Sequence, residues 1–354
     1  MSYYWLEEDT TSERIESALR ALLRESHADD DTLVPARVLN LVVICERAWR
    51  GEVVGRLERV GRYHPSRTIL CTVEEGRNQL DARVIAGGET PSGGGVGVLR
   101  ENVELKLGQR HLSWLGSIAD PILVGDLTTV LWSPHGYDDA VSALLPLTDV
   151  ILIDTDDPTH FDGAGAALRR AAHLREQDVY VVDLAWLRTI PWRERLAGSF
   201  EDPTRRAELD RIKRVFVRFE RGSRVSATLL CGWLAASLGW EPGELGAGPR
   251  GTMLGEARSR SGRRISFEFD PVPQSTRGIG GITVTGSGGF SLALDRAPGG
   301  LMLREQRAGI RPRQWQALGA AHSEGGILGE GVRQALLRDP VYGPALSAAR
   351  SFIP

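Results

Sequence analysis

The sequence contains few of the residues that mark a protein held together by disulfides or structural metals. Among its 354 residues only three are cysteines, Cys45, Cys71 and Cys231. An odd number at wide spacing is not a disulfide framework, and no CxxC pair indicates a zinc site. Cys45 and Cys71 stand in apolar segments, which predicts that both are buried as small hydrophobic side chains.

Long hydrophobic runs and a large excess of charge of one sign are also missing. Every apolar segment is shorter than the roughly 18 residues that a bilayer-spanning helix needs. The first twenty residues show no basic segment followed by an apolar one, so we expect no signal peptide and a cytoplasmic protein. The formal net charge is only -3, which predicts no nucleic-acid partner and no membrane partner.

The first half of the chain alternates buried strands with short helices. Residues 38–45 and 68–73 are nearly continuous apolar runs, which are typical of strands buried on both faces, and residues 52–62 between them have helical periodicity. This succession is a βαβ unit, so the two strands are expected to be parallel. Further strands are predicted at 130–132, 150–153 and 179–182, with helices at about 137–145 and 163–176. The pattern predicts an α/β N-terminal domain with a mixed, partly parallel sheet.

A glycine-rich connection interrupts this pattern. On either side of it, residues 79–85 and 101–107 alternate apolar and polar side chains, which predicts half-exposed antiparallel strands. The connection at 87–98 lacks the lysine of a Walker loop, and it joins strand to strand where a dinucleotide fingerprint joins strand to helix. We therefore expect no bound cofactor.

The pattern of predicted helices and strands changes after Trp192. A strand at 215–219 and a helix at about 224–238 precede short alternating segments separated by Gly, Ser and Pro turns. Antiparallel strands are predicted at 252–258, 264–269, 281–285, 290–295 and 300–305. The tail from about 327 has the pattern of a helix broken by Pro340 and Pro344. These features predict an α+β C-terminal domain with antiparallel strands, and we divide the chain into domains 1–175 and 176–354.

Carboxylates at strand ends are the first candidates for chemistry. Asp154, Asp156 and Asp157 follow one predicted strand and Asp183 follows another, at the edge where open α/β sheets bind ligands. Such acids could hold Mg²⁺ in a transferase, but aspartate also favours turns and helix N-caps. Because no second motif supports a metal, and no HExxH or GxSxG pattern is present, we predict neither a catalytic nor a metal site.

An arginine-bearing turn is the second candidate. Arg62, His64 and Arg67 lie in the segment that joins the helix at 52–62 to the following strand, and Arg56 and Arg59 precede them. This cluster could bind a phosphate, a nucleotide or an acidic partner surface. It could equally be a solvated helix face followed by a turn that Pro65 sets.

Tryptophans in polar surroundings are the third candidates, and the chain has nine tryptophans in all. Trp49 precedes Arg50, Trp192 precedes Arg193, and Trp186 lies a few residues upstream. Tryptophan and arginine are enriched at the hot spots of protein interfaces. Tryptophans in such positions also cover the edges of cores, so both interpretations stay open.

Four segments between residues 37 and 200 form a recognisable series. They are RVLNLVVI (37–44) with WRGE (49–52), VGRYHPSRT (60–68), residues 121–126 with VLWSP (130–134), and DLAW (183–186) with PWRE (191–194). In this order they resemble the OpcA family, the glucose-6-phosphate dehydrogenase assembly proteins.

The resemblance implies a non-catalytic assembly factor or allosteric activator of glucose-6-phosphate dehydrogenase in the oxidative pentose phosphate pathway. It implies partner contacts at the family-like positions with polar or aromatic side chains, namely Trp49, Arg50, Arg62, His64, Arg67, Trp186, Trp192 and Arg193. The same motifs could instead preserve packing. The alternative is a protein of α/β fold that senses a sugar phosphate or nucleotide, and a metabolite effector could also tune the partner contact.

Overall fold

The computed structural model describes residues 2–30, 33–35, 37–61, 65–89, 97–157, 160–319 and 324–353. The chain divides into two compact units. Unit 1 consists of Met1–Ile153, Arg175–Val182 and Leu328–Leu337, and unit 2 consists of Asp154–Leu174, Asp183–Ile327 and Arg338–Pro354. No helix in the described ranges combines the length and the hydropathy that a bilayer crossing requires.

The first part of the chain holds the elements of the first sheet. In chain order they are β1 (Ser2–Glu7), α1 (Ser12–Asp29), β2 (Leu33–Pro35), β3 (Leu39–Glu46), α2 (Arg50–Gly61), β4 (Ser66–Val73), β5 (Asp81–Glu89), β6 (Gly97–Leu107), α3 (Leu115–Ala119), β7 (Thr129–Trp132), α4 (Asp138–Leu144), β8 (Val150–Ile153), α5 (Gly163–Glu176) and β9 (Tyr180–Asp183).

The second part holds the elements of the second sheet. They are α6 (Leu184–Leu187), α7 (Ile190–Ser199), α8 (Pro203–Arg206), β10 (Ile212–Glu220), α9 (Arg224–Leu238), β11 (Trp240–Pro242), β12 (Gly246–Ala247), β13 (Met253–Ser259), β14 (Arg264–Val272), β15 (Ile279–Gly286), β16 (Ser291–Ala297), β17 (Gly300–Arg307), β18 (Ile310–Leu318), α10 (Glu324–Ala335) and α11 (Tyr342–Phe352).

The first sheet is mixed, as predicted. Its strand order is β1-β5-β6-β4-β3-β7-β8-β9, with β2 paired to β6. β3 pairs in parallel with β4 on one side and with β7 on the other, whereas β5 pairs antiparallel with both β1 and β6. The strand order therefore reverses between β3 and β7, and the carboxyl ends of these two strands flank that reversal.

The central strands of this sheet are buried at almost every position, because their sequences are continuous apolar runs. In β3 only Glu46 is exposed, and all four residues of both β7 and β8 are buried. One buried polar residue of these strands is Asn40, whose amide nitrogen donates to the carbonyl of Val124 at 3.0 Å and whose oxygen accepts from the Val124 N–H at 3.0 Å. Asn40 thereby fixes the loop that leads into β7.

The second sheet has the order β11-β13-β14-β10-β15-β16-β17-β18, with β12 on β13. Its pairs are antiparallel except for β10 and β14, which run parallel. The apolar side of the sheet packs with α9 and α11, and the ring of Phe352 in α11 lies 4.9 Å from that of Phe267 and 5.8 Å from that of Phe269. These findings confirm the α+β prediction for the second half.

α9 and α11 pack closely because α9 has a glycine at the contact. A Cβ atom at Gly232 would stand 2.4 Å from the carbonyl oxygen of Ala345, which is far too close for any larger residue. The predicted interruption of the C-terminal helix at Pro344 is wrong, since Pro344 lies in the first turn of α11, where its missing N–H has no helical partner to lose. The break falls before α11, on the side of Pro340.

The strands that were not predicted from the sequence include the edge strands β1 and β18. β1 carries Tyr4 and Leu6, which are 70% and 62% exposed, on its open side. β18 is exposed at most positions and mixes Arg, Gln and Pro, so it lacks the apolar alternation that indicates a strand. In both, pairing with a neighbouring strand overrides a weak local pattern.

Candidate functional site

Two aromatic side chains lie together where the strand order of unit 1 reverses. Trp49 stands in a 3-10 turn, Arg47–Trp49, directly after β3, and His135 follows β7. Their rings are stacked, with centroids 5.5 Å apart and an interplanar angle of 24°. Trp49 nevertheless stays 44% exposed. We call Trp49, His135 and the neighbouring Tyr137 the aromatic crevice.

The backbone beside the aromatic crevice is strained. Tyr137 has φ 66° and follows Gly136 at φ 92°, and a non-glycine residue in the left-handed region is uncommon enough to be a site candidate. The Ser133 hydroxyl donates to the carbonyl of Gly136, which closes the turn. Burial raises the pKa of Tyr137, and the nearby carboxylate of Glu46 raises it further, so the phenol stays protonated.

The arginines next to Trp49 are paired with acids that lie in, or directly after, neighbouring strands. Arg50 donates to Glu104 of β6 at 2.9 Å, and Arg47 lies 3.7 Å from Glu74. They line a groove of about 540 Å³ that also includes the exposed side chain of Tyr4. The carboxyl edge of this sheet thus carries an exposed Trp, paired arginines and an open groove.

Arg67 lies in the interior of unit 1. Its Nε donates to Glu101 at 2.7 Å and its Nη1 donates to the carbonyl of Ile122 at 2.8 Å, while Arg37 donates to the other oxygen of Glu101 at 2.5 Å. Burial lowers the pKa of Arg67, and Glu101, which is 1% exposed, opposes that shift. The two other predicted residues of this turn, Arg62 and His64, lie outside the described residues.

Trp186 and Arg193 form a compact contact inside unit 2. The Arg193 guanidinium lies 3.6 Å from the ring centroid of Trp186, and the indole N–H of Trp186 donates to Asp339 at 2.8 Å. Burial lowers the pKa of Arg193 to about 10, and Asp339 opposes the shift. Trp186 is 2% exposed and Trp192 is 1% exposed, so both indoles serve the core of unit 2 in the isolated chain.

The strand-end carboxylates also lie inside unit 2, where they meet an arginine that sequence reasoning did not select. Arg188 donates from Nη1 and Nη2 to the two oxygens of Asp154, both at 2.7 Å. Burial alone would raise the pKa of Asp154, but the Arg188 pair outweighs burial and lowers that pKa below its usual range. Asp154, Asp156, Asp183 and Arg188 together form what we call the acid cluster.

Asp156 and Asp183 act as hydrogen-bond acceptors for helix starts. Asp156 accepts from the N–H groups of Val225 and Ser226, at 3.0 and 3.1 Å, in the first turn of α9. Asp183 caps α6 by accepting from the N–H of Ala185 at 3.0 Å. A carboxylate at a helix N-terminus is favoured by the unsatisfied N–H groups there.

The remaining oxygens of this cluster are also occupied. Asp183 accepts from the hydroxyl of Thr155 at 2.7 Å and from that of Tyr342 at 3.0 Å. Burial raises the pKa of Asp156 to about 7, with Asp154 adding to the shift, and it raises the pKa of Asp183 to about 6. Among the described residues no group of three or more His, Cys, Asp or Glu side chains is arranged to hold a metal ion.

The sequence did not indicate three side chains that lie beside the predicted residues, namely His135, Tyr137 and Arg188. His135 and Tyr137 stand a few residues after a strand in the segment WSPHGY, and their only signal was the aromatic content of that loop. Arg188 was hidden in the motif LAWLRT, four residues before Trp192. All three cysteines are buried, which confirms the prediction for Cys45 and Cys71.

Comparison with family models matches both halves of the chain. The model for the N-terminal domain of the glucose-6-phosphate dehydrogenase subunit, OpcA, matches residues 58–173. The model for the C-terminal domain of the same subunit matches residues 179–346. Most of the chain is therefore similar to one family along its length.

Two curated relatives carry OxPP cycle protein OpcA in their names. The protein from Synechococcus elongatus is 25% identical over 237 residues, which cover 65% of this chain and 52% of the relative. The one from Nostoc punctiforme is 31% identical over 134 residues, or 37% of this chain and 28% of the relative. The chain thus spans about half the length of these relatives or less.

One solved structure, an oxidoreductase from Sinorhizobium meliloti, aligns with a TM-score of 0.49 at 12% identity, over 89% of this chain and 95% of that chain. A likeness at this level assigns no activity.

Proposed function

The chain belongs to the OpcA family, and from this premise we propose that it is a non-catalytic subunit that binds glucose-6-phosphate dehydrogenase and favours its active form. The observation that carries the proposal is that both halves of the chain match models of this dehydrogenase subunit. The pathway served would be the oxidative pentose phosphate pathway, and the place of action the cytoplasm.

The state of the carboxylates supports a role without catalysis. A metal-dependent or acid-base enzyme needs carboxylates with free acceptor positions aimed at a substrate. Asp154 is instead paired through both oxygens with Arg188, and Asp156 and Asp183 accept hydrogen bonds from helix starts and hydroxyls. The Mg²⁺-dependent transferase considered from the sequence has little support here.

The side chains of the aromatic crevice also support a role without catalysis. In open α/β sheets a nucleotide lies at the strand-order reversal, over a turn that is rich in glycine so that backbone can approach phosphate. Here the turn after β3 carries Arg47 and Trp49, and the ring of Trp49 lies across to His135. The turn after β3 thus carries bulky side chains where a dinucleotide-binding turn is rich in glycine.

Exposure narrows the contact surface that we propose. Trp49 and Arg50 lie at the surface of unit 1, and a half-exposed Trp beside Arg is the composition of interface hot spots. Trp186, Trp192, Arg193 and Arg67 are engaged within their units, so we propose that they support the binding surface from within. Arg62 and His64 remain proposed contacts.

An activator acts by binding the active state more tightly than the inactive one. A preference of about 10- to 100-fold corresponds to about 1.4–2.8 kcal/mol of coupling. Removing a hot-spot tryptophan commonly lowers affinity by 2 kcal/mol or more, which is roughly 30-fold. Trp49→Ala is therefore expected to weaken both binding and activation.

The experiment mixes the purified chain with its cognate dehydrogenase and measures complex mass, Kd, KM and Vmax. The matched control is Trp114→Ala, which removes an indole that is 68% exposed and lies outside the aromatic crevice. We expect the parent and Trp114→Ala to bind alike and Trp49→Ala to bind about 30-fold more weakly. If the parent leaves mass and kinetics unchanged, the proposed function is wrong; if both variants bind like the parent, only the contact surface is wrong.

A further inference from the structure

A groove in unit 2 combines an aromatic ring with arginines that have no acidic partner. It runs between the hairpin of β17 and β18 on one side and α7 and α8 on the other. A cavity of about 630 Å³ and an adjoining one of about 200 Å³ both include Arg205 and Arg313 in their linings. We propose that this arginine groove is a binding site for an organic phosphate, with Arg311 and Arg313 on the phosphate and Trp315 under the sugar or base.

The lining of the arginine groove carries a net positive charge. The two linings together contain five arginines and three acids, so they hold an excess of two positive charges. Two of the arginines are already used: Arg205 and Arg307 donate to the two oxygens of buried Glu305, at 3.1 and 2.7 Å. This pair of contacts fixes Arg205 and Arg307 in place and neutralises Glu305.

The uncommitted charge lies on exposed arginines. Arg195, Arg311 and Arg313 are exposed, and in the described part of the chain none of them forms an ion pair. Arg313 lies opposite Glu305 in the register of β17 and β18, yet both oxygens of that carboxylate already accept from Arg205 and Arg307. Arg313 is therefore available to an anion from solution.

β18 brings arginines and an aromatic ring to the same groove. Arg313 and Trp315 occupy alternate positions in the regular part of β18, opposite Glu305 and Leu303, so their side chains project from the same face of the strand. Arg311 lies in the irregular part of the pairing and lines the smaller cavity together with Arg313. The guanidinium of Arg205 lies 5.9 Å from the ring centroid of half-buried Trp315, which leaves the indole beside the arginines. Phosphate and ring contacts can thus be made by one small molecule.

The guanidinium groups and the size of the cavity indicate the class of ligand. The planar guanidinium fork matches phosphate oxygens two at a time, which a single lysine ammonium cannot do. Small-molecule pockets usually enclose about 300–1,000 Å³, and the larger cavity, of about 630 Å³, lies within that range. An aromatic ring next to a phosphate contact suits a sugar or a base, and so favours an organic phosphate over the inorganic ion.

The same arginines could instead serve only to protect the edge strand β18, and the experiment has to distinguish this role from phosphate binding. Charged residues and proline on an edge strand prevent sheets of different molecules from pairing, and Arg311, Pro312 and Arg313 on β18 suit that purpose. Lysine serves edge protection as well as arginine does, but it loses the bidentate phosphate contact. Arg313→Lys therefore discriminates between the two roles.

The experiment is calorimetric titration of the full chain alone, so its outcome does not depend on the dehydrogenase. The probes are glucose 6-phosphate, adenosine monophosphate, inorganic phosphate and a glutamate-rich peptide. We expect at least one organic phosphate to bind with a Kd of about 1 mM or lower, more tightly than inorganic phosphate. Arg311→Ala/Arg313→Ala and Arg313→Lys should each weaken it about tenfold or more.

The matched control is Arg264→Ala, an exposed arginine of β14 that does not line the groove, and it should bind like the parent. Trp315→Ala should weaken the organic phosphate and leave inorganic phosphate unchanged. Thermal melting checks that every variant folds. The proposal is overturned if no organic phosphate binds the parent, if Arg313→Lys binds it like the parent, or if only the acidic peptide binds.

Discussion

The aromatic crevice of unit 1 and the acid cluster of unit 2 both follow strand ends, and they differ in how completely their polar groups are used. In the acid cluster, Asp154 is paired through both carboxylate oxygens and Asp183 accepts from backbone and hydroxyl groups. In the aromatic crevice, Trp49 keeps 44% of its surface exposed beside strained backbone at Tyr137.

That difference separates architecture from surface available to a partner. A buried carboxylate with all its acceptor positions filled stabilises the local fold and has nothing left to offer a substrate. A half-exposed indole held by a stack with His135 can still lose its remaining accessible surface to another protein. The extent to which a side chain's hydrogen-bonding positions and surface are already used within the fold, more than its residue type, therefore indicates where function lies.

The largest expected change in stability tests the acid cluster, whose polar groups are all used within the fold. Asp154→Asn removes the charge that balances Arg188, whose side chain is 5% exposed. Leaving one member of a buried pair uncompensated usually costs about 3–5 kcal/mol of folding free energy. Urea denaturation should show a loss of this size, whereas Asp210→Asn, at an exposed position, should stay within about 0.5 kcal/mol of the parent. A small effect at Asp154 would mean that the cluster can rearrange.

A second variant tests a buried ion-paired carboxylate in unit 1. Glu101 accepts from both Arg37 and Arg67, and Glu101→Gln would leave the largely buried Arg67 without its counter-charge. We expect a loss of about 2–3 kcal/mol, somewhat less than for Asp154 because Arg37 retains access to solvent. The control is exposed Glu58→Gln. Equal stability of both variants would show that Arg67 is held by the Ile122 carbonyl alone.

The third prediction uses pH. The pKa of Asp156 is raised from 3.8 to about 7, so between these values the folded protein holds a proton that the unfolded chain has released. Its contribution to stability is therefore greatest below about pH 4 and is lost as the pH rises toward 7. Asp156→Asn, which mimics the protonated form, should lose less stability than the parent between pH 5 and 8, by about 2–3 kcal/mol.

The measurement is urea denaturation of both proteins at the two pH values. Asp210→Asn should keep the slope of the parent, because its carboxylate is exposed. If Asp156→Asn shows the same slope as the parent, Asp156 is ionised in the folded protein at pH 5, and the hydrogen bonds from Ser226 and α9 then outweigh its burial.

The sequence predicted the fold well where a local pattern was strong. The apolar runs at 38–45 and 150–153 are strands, and the helices at 163–176 and 224–238 have the predicted bounds. β18 was missed because its polar sequence forms a strand only by pairing with β17. Local periodicity does not record such non-local pairing.

The candidate sites were harder to predict, because exposure depends on tertiary packing. Trp49, Trp186 and Trp192 look alike in sequence, each near arginine and polar residues. Only packing makes Trp49 a surface residue and the other two core residues. The strand-end acids were found in the sequence, but their neutralisation by Arg188, 34 positions after Asp154, was not.

The smallest expected effect on stability tests the aromatic crevice, where Trp49 is still partly exposed. Trp49→Ala removes a stack with His135 and little buried area, so the fold should lose only about 0.5–1.5 kcal/mol, against about 3–5 kcal/mol for a core change such as Trp192→Ala. Thermal and urea unfolding of the two variants give this contrast directly. If Trp49→Ala destabilises the chain as much as Trp192→Ala does, the aromatic crevice is part of the architecture, and weaker partner binding by that variant would no longer identify a contact. If the cost is small, any loss of dehydrogenase binding belongs to the exposed indole itself.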